Sequence, residues 1–125
     1  MVTALLDTSV LVDLNRGYQP AAIWLSKQTN IGITRIVWLE ILEGASNKLE
    51  QERAVRLLND FAITELTVSD LDWATRQLIA LRLTYNIDAF DCLIAAPSYR
   101  LQIPVYTLNL KHFKPLLGGL AVQPY

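Results

Sequence analysis

Short apolar segments alternate with amphipathic segments along this chain, and that alternation limits the folds open to it. Val2–Leu6 is a continuous apolar run that ends at an acid, which is typical of a buried strand in a parallel sheet. Further strands are predicted at Ile31–Thr34, Ile63–Val68, Pro104–Thr107 and Leu120–Val122. Helices between successive strands indicate an α/β fold, with a mostly parallel four- or five-stranded sheet flanked by helices on both faces.

The segments between these strands carry apolar residues at helical spacing. In the segment that follows Arg35, apolar residues and glutamates recur at i, i+3, i+4 and i+7, and Gly44 is suited to end that helix. By the same reasoning, helices are predicted over residues 10–14, 20–27, 35–43, 49–61, 69–85 and 88–100.

Two of these helices begin with residues that can cap them. Thr8 and Ser9 can cap the first helix, and Ser69 with Asp72 three residues later forms a near capping box for the fifth. Pro97 lies inside the last predicted helix, where it removes one backbone hydrogen bond and should kink the helix.

The size and charge of the chain exclude several classes of protein. Its 125 residues match the commonest domain size, so residues 1–125 are predicted to form a single domain. The chain is 52% hydrophobic and only 18% charged, which indicates that a partner covers part of its surface. A net charge of −1 excludes nucleic-acid binding through bulk positive charge, so local groups or a metal ion would have to hold phosphates.

Cysteine content and hydropathy point to a cytoplasmic protein. Cys92 is the only cysteine, so no disulfide forms within the chain, and one cysteine with one histidine cannot build the usual zinc site. No apolar run reaches the ~18 residues that a membrane span needs. The N-terminal segment also lacks the basic region of a signal peptide. We therefore expect a cytoplasmic location and no membrane partner.

Three acids stand at the margins of apolar segments. Asp7 ends the first predicted strand, Glu40 lies in a helix otherwise rich in apolar residues, and Asp91 precedes the apolar run CLIAA. A charge in such a place is costly unless it has a partner. Carboxylates that converge without basic partners repel one another, and a divalent cation relieves that repulsion. Their hard oxygen ligands suit Mg²⁺ or Mn²⁺.

Each of these acids also has an ordinary structural interpretation. Asp7 and Asp91 can be helix caps, and Glu40 can pair with Arg35. Asp88 is interpreted as a cap or a solvent-exposed charge, because it lies three residues before Asp91 on the same side of the helix.

Other polar and aromatic residues receive structural interpretations alone. Asp13 is expected to face solvent, Glu43 to lie at the rim of the acidic pocket, and His112 to lie in a loop or on the surface. The three tryptophans are expected to lie in the core or in an interface rather than to stack on bases.

Four segments of the chain resemble the PIN-domain family and, more narrowly, the ribonuclease toxins of VapBC toxin–antitoxin pairs. They are LLDTSVLVDL at Leu5–Leu14, LEILEGA at Leu39–Ala45, DCLIAA at Asp91–Ala96 and TLNLKHF at Thr107–Phe113. The segments come in family order at about family spacing, and together they cover nearly the whole chain.

The resemblance implies a fold, an activity and partners. It implies that Asp7, Glu40 and Asp91 are the acids that bind Mg²⁺ or Mn²⁺ and catalyse phosphodiester hydrolysis of an RNA substrate. It also implies that a cognate antitoxin covers the acidic groove and that the toxin forms a homodimer.

The resemblance also identifies polar residues around the acids, together with one departure from the family. Thr8, Ser9 and Thr107 are candidates to orient the phosphate. The family often has a fourth acid at the position of Asn109 or of His112, and this chain has an acid at neither. Asn109 can ligate or hold a water through its carbonyl oxygen, but it adds no negative charge.

Two further classes of function stay open from the residues alone. One is a phosphoryl-transfer domain of the haloacid-dehalogenase or receiver type with Asp7 as the acceptor. The first type requires an acid where Ser9 stands, and Lys111 fits the lysine of the second type poorly. The other class is a degenerate PIN-like module that binds RNA or a protein partner without cleaving.

Overall fold

Five short strands form one parallel sheet in a computed structural model that describes all 125 residues. The strands are β1 (Ala4–Leu6), β2 (Ile31–Thr34), β3 (Ala62–Thr64), β4 (Val105–Tyr106) and β5 (Ala121–Val122). Their order across the sheet is β3-β2-β1-β4-β5, and every neighbouring pair is parallel. The predicted α/β class with a parallel sheet is confirmed.

Seven α-helices connect and cover these strands. They are α1 (Thr8–Asn15), α2 (Gln19–Ser26), α3 (Arg35–Glu43), α4 (Lys48–Leu58), α5 (Val68–Tyr85), α6 (Ala89–Leu101) and α7 (Leu110–Leu117). Right-handed crossovers put α1–α4 on one face of the sheet and α5–α7 on the other. None of these helices combines the length and apolar character that crossing a bilayer requires.

The third strand is shorter than predicted, because a capping box begins α5 early. Thr67 Oγ1 accepts a hydrogen bond from the Asp70 N–H, and Asp70 Oδ2 accepts one from the Thr67 N–H, at 3.1 and 2.9 Å. β3 therefore ends at Thr64 instead of Val68. The predicted box at Ser69 and Asp72 is wrong by two residues, since the same residue spacing occurs earlier in the chain.

Helix α7 is absent from the prediction, although its sequence carries a helical signal. Leu110, Phe113 and Leu117 recur at i, i+3 and i+7, and Phe113 and Leu117 are buried. Pro115 inside the segment obscures that signal. In α6, Pro97 does lie within the helix as predicted, and the helix continues past it to Leu101.

The core lies on both faces of β1. Its largest fully buried apolar side chains come from the strands, from the helix faces turned towards them and, in the case of Ile87, from the loop between α5 and α6: Phe113, Leu5, Leu6, Leu11, Ile33, Leu58, Ile87, Ile94, Val10, Val37 and Val105. All three tryptophans are partly buried against this core, as expected for structural aromatic residues.

The prediction that Asp13 faces solvent is wrong. The residue is only 7% exposed, and its two carboxylate oxygens bind Arg16 at 2.8 Å and the Tyr125 hydroxyl at 2.7 Å. Tyr125 also packs near Tyr18 and Trp24. Asp13 thereby joins the end of the chain to α1, a contact between residues too far apart in sequence for local pattern to indicate.

An ion pair between a buried carboxylate and a partly exposed guanidinium joins α5 to α6. The Arg100 guanidinium donates to both carboxylate oxygens of Asp70 at 2.9 and 3.0 Å, and the Asp70 side chain is 2% exposed. Burial acts to raise the pKa of Asp70, but the hydrogen bonds from Arg100 and Thr67 outweigh it and hold that pKa below its usual value. The charged form of Asp70 is thus the form that the fold stabilises.

Asp70→Asn should lower the free energy of unfolding at pH 7 by about 2 kcal/mol, because it removes the charge that strengthens the hydrogen bonds from Arg100. Urea denaturation measures the loss. Since the Asp70 pKa is lowered on folding, wild type should lose this advantage as the pH falls below about 4. Asp72→Asn is the matched control, because it breaks the exposed pair with Arg76 on the same helix and should cost less than about 1 kcal/mol. Equal losses in the two variants would contradict this prediction.

Candidate active site

The site lies where the sheet changes direction. β1 and β4 are neighbours, but the chain leaves them towards opposite edges of the sheet, and this opens a crevice beyond their carboxyl ends. Asp7 follows β1 directly and Thr107 follows β4 directly. Their backbone N–H groups remain in the sheet ladder, with the Asp7 N–H bonded to the Tyr106 carbonyl at 3.0 Å and the Thr107 N–H to the Val122 carbonyl at 3.0 Å.

Asp7 is a buried acid held by two hydroxyl groups. Its side chain is 5% exposed, and its Oδ2 accepts hydrogen bonds from Ser9 Oγ and Thr107 Oγ1, both at 2.8 Å. Each hydroxyl oxygen accepts in turn a backbone N–H, from Leu108 at 3.1 Å and Asn109 at 2.9 Å. Asp7 therefore fixes the start of α1 and the turn after β4 in one network.

The role predicted for Thr8 and Ser9 as caps is wrong. Helix α1 begins at Thr8, so both residues lie inside its first turn, and Asp7 occupies the cap position without a side-chain cap bond. Both hydroxyls donate to site acids instead. Thr8 Oγ1 donates to Glu40 Oε1 at 2.7 Å, and this bond connects α1 to α3.

Asp91 is held from the opposite side by His112. Asp91 lies in the first turn of α6, where Asp88 is the cap and accepts the Asp91 N–H at 2.8 Å. The cap interpretation of Asp88 is thus confirmed, and that of Asp91 is wrong. The Asp91 side chain makes no cap bond and contacts His112 instead, with Asp91 Oδ2 lying 3.0 Å from His112 Nδ1.

The expectation that His112 is a loop or surface residue is wrong. It lies on α7, its side chain is 22% exposed, and it contacts both Asp91 and the Asn109 side chain, the latter at 2.9 Å. If α7 had been predicted from the spacing of its apolar residues, His112 would have been assigned to that helix instead of to a loop. Glu43, by contrast, is exposed, in agreement with its interpretation as a rim charge.

The surroundings of the three acids oppose ionisation. Burial raises the pKa of Asp7 despite the hydrogen bonds from Thr107 and Ser9. Burial, followed by the charges of Asp88 and Asp7, raises the pKa of Asp91 to about 6. The pKa of Glu40 is also raised, first by burial and then by the charge of Asp7 and its neighbours. Glu40 and Asp91 thus experience the negative charge of other acids, Asp7 among them, which is the situation that a bound cation relieves.

The chemistry of the donor set fits a hard divalent cation. Asp7, Glu40 and Asp91 each use one carboxylate oxygen in a side-chain hydrogen bond and leave the other oxygen without one. Hydrogen bonding of one oxygen is the usual way to orient a ligating carboxylate. In their present rotamers, no three Asp, Glu, His or Cys side chains are arranged to hold one metal ion. The three acids are therefore candidate ligands only, and their side chains would have to move to enclose an ion.

Two clefts open beside Glu40, and sequence reasoning missed both of them. One has a volume of about 330 Å³ and runs between α1, α3 and α4 from Thr8 and Glu40 to Arg16 and Arg53. The other has a volume of about 290 Å³ and is lined by Ile36, Leu39, Glu40, Glu43 and Phe90. The pattern of exposed residues is set by tertiary packing, so the sequence carried little signal for either cleft.

Comparisons with known proteins agree with this geometry. The sequence profile of the PIN domain matches residues 4–114. A toxin–antitoxin complex from Klebsiella pneumoniae contains a similar chain, 28% identical over 98% of both chains with a TM-score of 0.75. Similar folds also occur in DNA-bound VapBC from Salmonella typhimurium (17% identity, all of both chains, TM-score 0.80) and in VapBC2 from Rickettsia felis bound to promoter DNA (22%, 91% and 92%, 0.71). No curated protein matches the chain.

In EDTA, the thermal midpoint of the wild-type protein should fall as the pH rises from about 4.5 to 7. The pKa of Asp91 is raised from 3.8 to about 6 on folding, so over this interval the folded state binds more protons than the unfolded state. Asp91→Asn cannot ionise, and Asp88 still caps the helix, so this variant should show a flatter profile and a higher midpoint at pH 7. Thermal melts across the pH range measure both effects. If the thermal midpoint of the variant falls with pH as steeply as that of wild type, the prediction that ionised Asp91 destabilises the metal-free fold is contradicted.

Proposed function

Because this chain belongs to the PIN domain family, we propose that it is the nuclease toxin of a toxin–antitoxin pair and, more specifically, a metal-dependent endoribonuclease that hydrolyses phosphodiester bonds of RNA. The observation that carries the proposal is the arrangement of Asp7, Glu40 and Asp91. One oxygen of each carboxylate accepts a side-chain hydrogen bond, and the pKa of each acid is raised. Asp7 follows β1 at the switch point of the sheet, Glu40 is bonded to the adjacent Thr8, and Asp91 is close enough for the charge of Asp7 to raise its pKa.

In the proposed mechanism, Asp7, Glu40 and Asp91 would hold Mg²⁺ or Mn²⁺. Once bound, such an ion neutralises charge on a phosphate oxygen and lowers the pKa of a coordinated water. The protein's own contribution is orientation. Ser9 and Thr107 fix the Asp7 carboxylate by donating to Oδ2.

The remaining polar residues complete the proposed site. Thr8 fixes Glu40 in the same way, and His112 holds Asp91. The Asn109 amide nitrogen lies 2.9 Å from His112 Nδ1, so we assign its carbonyl oxygen to hold a water or to ligate the ion. Thr8, Ser9 and Thr107 act on substrate chiefly through the acids, because their hydroxyl hydrogens are already donated to carboxylates.

A second candidate is a PIN-like module that binds RNA or a protein partner without cleaving. Two observations favour it: no three potential ligands are arranged to hold one ion in the present rotamers, and Asn109 and His112 stand where the family often has an acid. Metal-dependent cleavage of any RNA separates this candidate from the nuclease.

The proposed partners are an antitoxin and a second copy of the chain, in the cytoplasm. The antitoxin rests on the similar chain in the Klebsiella pneumoniae toxin–antitoxin complex. For the second copy, helix α5 offers an exposed apolar stripe of Val68, Leu71, Ile79 and Leu83. Val68 and Leu71 lie 7 and 4 positions before Thr75, and Ile79 and Leu83 lie 4 and 8 positions after it. The spacing of the stripe is therefore nearly symmetrical about Thr75. A two-fold contact requires such self-complementarity, as between antiparallel α5 helices.

Purified protein free of antitoxin should cleave RNA with Mg²⁺ or Mn²⁺ and lose all cleavage in EDTA. Asp7→Asn and Asp91→Asn should reduce cleavage to the EDTA level, because each removes a ligand charge. Thr107→Val, which removes only the hydroxyl that orients Asp7, should weaken metal affinity by about 10- to 100-fold. Gel assays on labelled RNA and calorimetric Mn²⁺ titrations measure these effects. Asp72→Asn, an exposed acid on α5, serves as the control and should behave as wild type.

Cleavage that persists in EDTA would exclude the metal mechanism. Normal metal binding without any cleavage would favour the non-cleaving module.

Ile79→Glu should convert the dimer to a monomer, because it places a charge within the proposed apolar contact. Sedimentation equilibrium measures the mass in solution. Leu49→Glu changes an equally prominent apolar residue on α4, outside the stripe, and should leave the dimer intact. The proposed interface fails if wild type is monomeric or if the Ile79 variant stays dimeric.

A further inference from the structure

The smaller cleft beside Glu40 combines features that the proposed hydrolysis does not use. Its walls are Ile36 and Leu39 of α3 and Phe90 of α6, and its volume is about 290 Å³. Leu39 is 61% exposed and Phe90 is 50% exposed, although both are large apolar side chains. Glu40 belongs both to this cleft and to the acidic cluster. A ligand in the cleft would therefore border the site acids directly.

Phe90 brings an aromatic surface next to the reacting groups. Phe90 and Glu40 line the same cleft, so a group that stacks on the ring of Phe90 within the cleft lies beside a site acid. Stacking of a base on an aromatic side chain is worth about 1–3 kcal/mol, and it requires no particular sequence. An RNA strand whose phosphate sits at the acids has a neighbouring base available to fill such a space.

Glu43 gives the cleft a chemical preference. Its carboxylate is exposed at the cleft and has no hydrogen-bond partner in the structure. A carboxylate accepts hydrogen bonds and cannot donate them. Adenine, cytosine and guanine have exocyclic amino groups that can donate to it. Uracil has no amino group, and its one exposed donor, N3–H, lies between two carbonyl oxygens that repel a carboxylate.

We propose that the cleft formed by Ile36, Leu39, Glu43 and Phe90 is a nucleobase subsite that takes the base beside the scissile phosphate and favours an amino-bearing base over uracil. The proposal deepens the proposed function and rests on it. A second copy of the chain is the less suitable occupant. A second copy seated here would have to cover the Glu40 and Glu43 carboxylates, whereas the exposed apolar stripe of α5 offers it four uncharged side chains.

The test uses short RNA oligonucleotides of one sequence, cleaved at a mapped bond, with adenine, cytosine, guanine, uracil or an abasic residue beside that bond. For the wild-type protein, the abasic residue should lower kcat/KM by about 10-fold or more, given the usual strength of stacking. The kcat/KM of the substrate with uracil should lie between that of the abasic substrate and those of the substrates with the other bases. Phe90→Leu keeps an apolar wall but removes the ring face, and it should abolish most of the abasic effect.

Further variants assign the roles within the cleft. Phe90→Trp should retain the dependence on the base, and Glu43→Gln, whose amide can also donate, should reduce the discrimination against uracil. Leu101→Ala changes an exposed apolar residue at the far end of α6. It should leave the relative kcat/KM values of the different oligonucleotides unchanged. An unchanged abasic effect in Phe90→Leu would overturn the proposal. A loss of dimer mass in that variant would do the same, because it would assign the face to a second copy.

A binding measurement separates this proposal from the proposed function. Fluorescence anisotropy with the same oligonucleotides reports the base preference whether or not the RNA is cleaved. Base-dependent binding that Phe90→Leu removes, without any cleavage, would support the subsite and reject the nuclease. Cleavage that is indifferent to the neighbouring base would support the nuclease and reject the subsite.

Discussion

The arrangement of this site depends on one buried carboxylate, Asp7, bound by two hydroxyl groups from different parts of the chain. Ser9 donates from the first turn of α1, and Thr107 donates from the end of β4, almost one hundred residues later. A carboxylate that is 5% exposed must have such partners, because its isolated charge would be costly away from water. The same bonds order the turn that leads to Asn109. The geometry of the acidic edge is therefore part of the packing of the sheet.

The sequence allowed the acids to be located because their surroundings follow local rules. Asp7 ends an apolar strand, and Glu40 falls in a helix of clear periodicity, so fold class and crevice both followed from pattern. The hydrogen-bond partners of the acids could not be predicted from the sequence pattern. His112 meets Asp91 only because α6 and α7 pack together, and Asp13 is buried only because Tyr125 returns to it. Long-range contacts of single polar side chains leave almost no periodic trace in a sequence.

The positive charge of the chain is largely unavailable near its acids. Four arginines are paired with carboxylates, in the pairs Arg16–Asp13, Arg35–Glu65, Arg76–Asp72 and Arg100–Asp70. Arg53, in the cleft that also contains Thr8 and Glu40, has no such partner. A phosphate chain that enters this cleft thus meets the Glu40 carboxylate together with the Arg53 guanidinium. Neutralisation of the acids by a cation would change the sign of that local field.

The brevity of the strands has a consequence for how this chain can associate with other proteins. The edge strands β3 and β5 contain three and two residues, so each exposes very few unpaired backbone groups. Addition of a foreign strand to a sheet edge gains its affinity from main-chain hydrogen bonds, and these edges can form few of them. Recognition must therefore use side chains presented by helices. Selectivity for a partner is then encoded in helix surface residues, which can change without disturbing the sheet that carries the acids.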